Sequence, residues 1–138
     1  MKCPLLSTFD HRSKSRFVVQ RHQATHLHFD FRLEMEGVLK SWAVPKGPAL
    51  EVGVKRLAVE VEDHALAWID FAGTIPQSKD GEGIIEIWDK GKYQLVNKST
   101  TRIEIILTGE KLSGSYVLFH YKGKNWLLIK RKPKGEVS

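Results

Sequence analysis

His22, His28, Asp30 and Arg32 follow one another with the spacing His-x5-His-x-Asp-x-Arg inside the stretch QRHQATHLHFDFR. Two imidazoles and a carboxylate can occupy one side of a borderline divalent metal and leave positions open for substrate oxygens. Arg32, next along the same side, is a planar two-pronged donor suited to phosphate. A metal beside an arginine points to a phosphoester. His26 is close in sequence, but it lies farther from Asp30 than His28 does and reads as a bystander. A single histidine on a strand is usually an ordinary surface residue, so it is the combined spacing that carries this reading.

For these side chains to converge, the chain must be extended. In HLHFDFRLEME, Leu27, Phe29, Phe31 and Leu33 alternate with His26, His28, Asp30, Arg32 and Glu34. A strand of period two sends the first set to one face and the second to the other. His28 and Asp30 then sit about 7 Å apart along the backbone, close enough for their side chains to share an ion. His22 reaches the group from the preceding strand or turn. Downstream, SWAVPKGP presents Lys46 in a turn bounded by Pro and Gly, and RLAVEVEDH begins with Arg56 and ends with His64. Those two share a face if the strand is regular. Arg56 fits a charge at a strand start. His64 fits either an exposed loop residue or, beside Asp63, a group poised for proton transfer near neutral pH.

The remaining pattern is of many short strands, at residues 16–21, 27–34, 38–44, 56–62, 83–89, 92–96, 102–107, 115–121 and 125–130. Breaks at Glu36-Gly37, Pro45-Lys46-Gly47-Pro48, Lys90-Gly91 and Lys122-Gly123-Lys124 supply the backbone angles that hairpins need. The spacing predicts an all-β barrel or sandwich. Helical signal is confined to residues 63–71 and 109–112.

At 138 residues and 41% hydrophobic content, the chain has the size and the apolar content of a single domain with a real core. We expect one domain over residues 1–138, with flexible termini at 1–14 and 132–138. A lone Cys3 excludes an intramolecular disulfide framework, and the opening residues are too short in apolar run for a signal peptide. No apolar run approaches the roughly 18 residues that cross a bilayer. The expectation is a cytoplasmic, soluble monomer without a membrane partner. Lys plus Arg outnumber Asp plus Glu by 22 to 16, for a formal charge of +6, which makes a polyanionic partner such as nucleic acid plausible.

Taken together, the segments FVVQRHQATHLHFDFRLEMEGVLKSWAVPKGP, KRLAVEVEDHALAWIDFAGTIP, GIIEIWDKGKY and LSGSYVLFHYKGKNWLLIKRK resemble the 3′-phosphoesterase module of bacterial DNA ligase D and its stand-alone relatives. The resemblance covers most of the chain. It implies a β-barrel with a polar, metal-binding interior and short flanking helices. It also implies a manganese-dependent enzyme, with other divalent transition metals as substitutes, that heals 3′ ends of DNA or RNA-ended DNA primer-templates. Such enzymes resect a 3′-terminal ribonucleoside and then remove the 3′-phosphate, in the company of a ligase or polymerase. Carried over by position, His22, His28 and Asp30 match the metal ligands. Arg32, His64 and Arg56 match phosphate-binding positions, and Gln20 and Lys46 match further active-site positions.

Three features depart from that family. Trp68 stands where a phosphate-holding tyrosine is common, and an indole donates a hydrogen bond but cannot copy a phenol. About twenty residues precede His22, without the Arg, Asp and Glu pattern of fuller bacterial versions. The loop QSKDGEG lacks the usual aromatic, and its Lys79-Asp80-Gly81 is not a ligase nucleophile motif. Two other readings start from the same residues. His28-x-Asp30 with a later His64 imitates the triad of iron and 2-oxoglutarate oxygenases, although no Arg or Lys falls between Arg56 and Lys79 to hold the co-substrate. Trp42, Trp68, Trp88 and Trp126 fit a non-catalytic barrel that stacks single strands, although tryptophans at strand positions are more often core.

Overall fold

Alternation of apolar and polar residues builds nine strands in the computed structural model, which describes residues 15–75 and 83–132. They are β1 (Arg16–Gln23), β2 (Leu27–Met35), β3 (Val38–Val44), β4 (Lys55–His64), β5 (Gly73–Ile75), β6 (Gly83–Lys98), β7 (Arg102–Gly109), β8 (Ser113–Lys122) and β9 (Asn125–Arg131). The order is β1-β2-β3-β4-β9-β8-β7-β6, and β6 pairs back onto β1, so eight antiparallel strands close into a barrel. The short β5 lies against the start of β6. Tight turns set the registers. Between β2 and β3, Glu36 and Gly37 both take positive φ, at 56° and 85°, the pair of angles a two-residue hairpin turn requires.

One face of every barrel strand is apolar, and these faces meet on the inside. Phe17, Phe31, Trp42, Ala58, Tyr93, Ile105, Tyr116 and Leu128 contribute one core residue from each of the eight strands. Each fully buried large side chain is worth about 1.5–3 kcal/mol. Trp42 and Trp126 meet edge to face within this core, at 5.7 Å between ring centroids. The polar residues of β1 and β2 therefore do not occupy the barrel lumen. They lie on the other face of the same wall, where a second apolar cluster of Val18, Leu39 and Ile69 seats a 3₁₀ turn, Leu66–Asp70, over the sheet. The polar cluster is enclosed between sheet and turn rather than inside the barrel.

Three local expectations change. Lys90-Gly91 does not break a strand: β6 runs through it. A Cβ on Gly91 would lie 2.1 Å from the carbonyl oxygen of Thr108, so this glycine permits close approach of β7. Residues 109–112 are not helical, because their N–H groups are turned onto a buried carboxylate instead. Asp89 accepts from the backbone of Glu110, Lys111 and Leu112 at 2.9, 3.1 and 2.7 Å. Of the expected flanking helices, the described residues show only the 3₁₀ turn. The termini expected to be flexible fall, except for residue 132, outside the described residues, as does the QSKDGE part of the QSKDGEG loop. Among the described residues no helix is long and apolar enough to cross a membrane.

Candidate active site

The β1–β2 register brings the polar side chains together. His22 pairs with His28, Gln20 with Asp30 and Val18 with Arg32, and paired residues on antiparallel strands point to the same face. Arg32 in turn pairs with Ser41 on β3. His64 joins them through an irregularity. The β3–β4 register shifts between Leu39 and Ser41, so that Leu39 faces His64 while Ser41 faces Val61. A β-bulge of this kind re-aims a side chain. It also means that Arg56 and His64 do not share a face: register puts Arg56 on the side of Ala58, opposite Val59 and Val61.

His22, His28 and Asp30 each offer a ligand atom, and these atoms lie within 4.8 Å of one another. Ligands bound at about 2.1 Å stand at most about 4.2 Å apart, so a modest inward shift of these side chains would bring all three donors onto one divalent ion. Asp30 is 6% exposed, with His28 Nε2 at 3.3 Å from one carboxylate oxygen and His22 Nδ1 at 3.8 Å from the other. Burial by itself would raise the Asp30 pKa. The hydrogen bond from His28 and the charges of Arg32, His28 and His22 more than offset it and hold the carboxyl below its ordinary value. The same hydrogen bond to Asp30 raises His28, against the opposing effects of burial and Arg32.

His28 Nδ1 lies 3.3 Å from the backbone oxygen of His26. Donation to that carbonyl fixes the tautomer and leaves Nε2 for an ion, a common arrangement for metal-ligating histidines. His26 thus serves through its main chain, and its exposed side chain is turned to other surroundings. The two-histidine group takes His22, not His64, as its second imidazole. That separates it from the oxygenase triad.

Arg32 is the hub of the second half of the site. It is 4% exposed, and a guanidinium this deep requires partners. Nε donates to Gln20 Oε1 at 2.7 Å, and Nη1 donates to Ser41 Oγ at 2.9 Å and lies 3.1 Å from His64 Nδ1. Nη2 is 3.4 Å from Asp30 Oδ2. Burial lowers the Arg32 pKa, partly offset by Asp30, yet an arginine remains charged at any working pH. His64 Nδ1 also lies 3.0 Å from the backbone oxygen of Glu62. One nitrogen cannot accept from Arg32 and donate to Glu62 at once. Acceptance places the proton on Nε2, and donation leaves Nε2 with its lone pair, so the two partners define the two tautomers.

Gln20, wholly buried, connects this hub to the turn above it. Its Nε2 donates to the carbonyls of Trp68 and Phe71, at 2.8 and 3.1 Å, while its Oε1 accepts from Arg32. These three partners admit only one orientation of the amide. Trp68 stands edge to face with His64, 5.6 Å between centroids. Among the expected site residues, Gln20, His22, His28, Asp30, Arg32, His64 and Trp68 form one network. No hydrogen bond or ion pair of that network reaches Lys46 or Arg56 among the described residues. Lys46 is exposed in the turn after β3. Arg56 Nε is buried without a hydrogen-bond partner. Ser41 was not expected. Its signal is a hydroxyl at the position of β3 that faces Arg32, visible only once the register is known.

A family model described as the DNA ligase D 3′-phosphoesterase domain matches residues 20–120, a span that runs from Gln20 through the whole network just described. The multifunctional non-homologous end joining protein LigD of Pseudomonas aeruginosa is 48% identical over 126 residues, covering 85% of this chain. The LigD proteins of Mycolicibacterium smegmatis and Mycobacterium tuberculosis are 43% and 41% identical, covering 87% and 84% of it. The chain spans only 15–17% of the length of these relatives. A match over the full span of the site, together with identities above two-fifths, establishes that this chain belongs to the DNA ligase D 3′-phosphoesterase domain family.

Proposed function

We propose that the chain is a divalent-metal-dependent phosphoesterase that processes 3′ ends of DNA or RNA-ended DNA during end joining. It removes a 3′-phosphate and, more slowly, a 3′-terminal ribonucleoside. The observation that carries this reading is the enclosed His22–His28–Asp30 donor set with Arg32 Nη2 beside Asp30. The relatives' names describe multifunctional end-joining proteins, which supports a working partnership with a ligase or a polymerase.

In this reading His22, His28 and Asp30 hold the ion, with manganese as the proposed metal. When bound, it supplies Lewis-acid neutralisation of a phosphoryl oxygen and acidifies a coordinated water. The chain's own residues do the rest. Arg32 aligns Asp30 and His64 through its fixed fork and has one Nη2 N–H left to face a phosphate oxygen. His64, in the tautomer that accepts from Arg32, presents Nε2–H to an oxygen of the substrate. In the other tautomer it presents a lone pair that can take a proton. Lys46, exposed in the turn after β3, adds positive charge toward the strand. Ribonucleoside removal demands more, because the penultimate sugar must also be held in register, and a small misplacement there can cost about a hundredfold.

The test is a 5′-labelled primer-template ending in a 3′-phosphate or a 3′-ribonucleotide, with manganese, with chelator, and with manganese restored. Phosphate release should be the faster reaction, and both should vanish on chelation and return with metal. Undiminished phosphate release in excess chelator would sink the proposal.

The two neighbouring histidines give a sharper check on the ligand set. His28→Ala removes a donor, so metal affinity and turnover should fall by a hundredfold or more, beyond the 10- to 100-fold typical of residues behind the ligands. His26→Ala keeps the carbonyl that orients His28 and should stay within about threefold of the parent. Equal losses in the two variants would move the ligand role onto His26.

A further inference from the structure

The 3₁₀ turn does more than roof the site. Trp68 and Phe71 bring their rings to 4.7 Å, tilted by 53°, and both are half-buried. Trp68 packs on the Val18–Leu39–Ile69 cluster, and its edge-to-face contact with His64 puts the pair beside the Arg32–His64 end of the site. Trp42 and Trp126 are core residues, so two of the four tryptophans are unavailable for stacking. This pair is different in its placement. A phosphate held at Arg32 and His64 would carry its nucleoside alongside Trp68, whose ring centroid lies 5.6 Å from that of His64.

From this we infer that Trp68 and Phe71 form the seat for the terminal base of the strand being processed, read by stacking rather than by base-edge hydrogen bonds. The inference rests on the function proposed above. Three points support the assignment. Aromatic side chains stack any base, which suits an enzyme that must accept broken ends of any sequence. The carbonyls of both residues are pinned by Gln20, which also binds Arg32, so the seat and the phosphate site are built as one unit. A seat ordered in advance loses little entropy when a base arrives.

The alternative is that the pair only covers the second apolar cluster, and the two roles give different results. Binding is measured by fluorescence anisotropy on two labelled 3′-phosphate oligonucleotides, identical except that one ends in an abasic tetrahydrofuran residue. The wild-type protein should hold the base-ended strand about ten- to a hundredfold more tightly, the range of a base–aromatic stack. Trp68→Leu, which keeps apolar bulk without a ring, should lose most of that difference, and Trp68→Phe should retain much of it. Equal wild-type affinity for the two strands overturns the inference, and this comparison needs no variant that might misfold. A Trp68→Leu protein that weakens on both strands alike also overturns it, in favour of a covering role. Because binding is read directly, a protein that binds with the expected preference but releases no phosphate leaves the seat standing and removes the proposed reaction.

Discussion

Asp30→Asn should abolish phosphate release while leaving a folded barrel. The substitution keeps the shape of the side chain and deletes its charge, and the Asp30 carboxylate faces His22, His28 and Arg32. Without that charge, a divalent ion approaches two imidazoles and a guanidinium that the Asp30 carboxylate no longer offsets. Several kcal/mol of charge stabilisation depend on that ion in a metal-assisted transfer, which corresponds to a rate loss on the order of a thousandfold. Manganese binding by calorimetry should weaken in parallel, and the circular dichroism spectrum should be unchanged, since the barrel core lies on the opposite face of the wall. A folded Asp30→Asn protein with parental turnover would overturn the ligand assignment.

Arg32→Ala should produce a comparable loss, for a different reason. It removes a donor aimed at the phosphate, worth about a hundred- to a thousandfold in turnover when one preorganised donor is lost. It also leaves Gln20 Oε1, Ser41 Oγ and the Asp30 carboxylate facing an empty space in a buried region. Breaking a buried charge pair from one side costs about 3–5 kcal/mol, so the melting temperature should fall as well. Arg32→Lys separates the two effects. An ammonium restores charge but not the fork that serves four partners, so stability should recover in part while turnover stays low. Rates taken well below each variant's melting point decide the matter, and near-parental turnover of Arg32→Ala would remove the residue from the reaction.

The parts of the site that follow from period two were legible in the sequence. His28, Asp30 and Arg32 share a face because nothing interrupts β2, and His22 meets them because a short hairpin folds β1 back in register. What alternation does not say is which face closes on itself. Both faces of β1 and β2 bury residues, one against the barrel interior and one against the 3₁₀ turn, and only the whole circuit of strands shows that the aromatic face is the lumen. Irregularities were also hidden. The bulge that swings His64 toward Arg32 has no residue signature in RLAVEVEDH, and Gly91 looks like a turn residue although it marks close approach of two strands. Polar residues that act through backbone groups, such as Asp89 on the 109–112 segment and Gln20 on the 3₁₀ turn, depend on contacts far apart in sequence.

The pairing of β1 with β6 also limits how other proteins can recognise this one. Each of the eight barrel strands has a neighbour on both sides, and among the described residues only the three-residue β5 stands outside the circuit. An extended peptide that docks by adding a strand needs a row of unpaired backbone donors and acceptors. Among the described residues, no barrel strand is left with a whole edge free. A protein partner of the barrel would meet chiefly side-chain surfaces, where a single charge reversal can weaken one partnership without disturbing another.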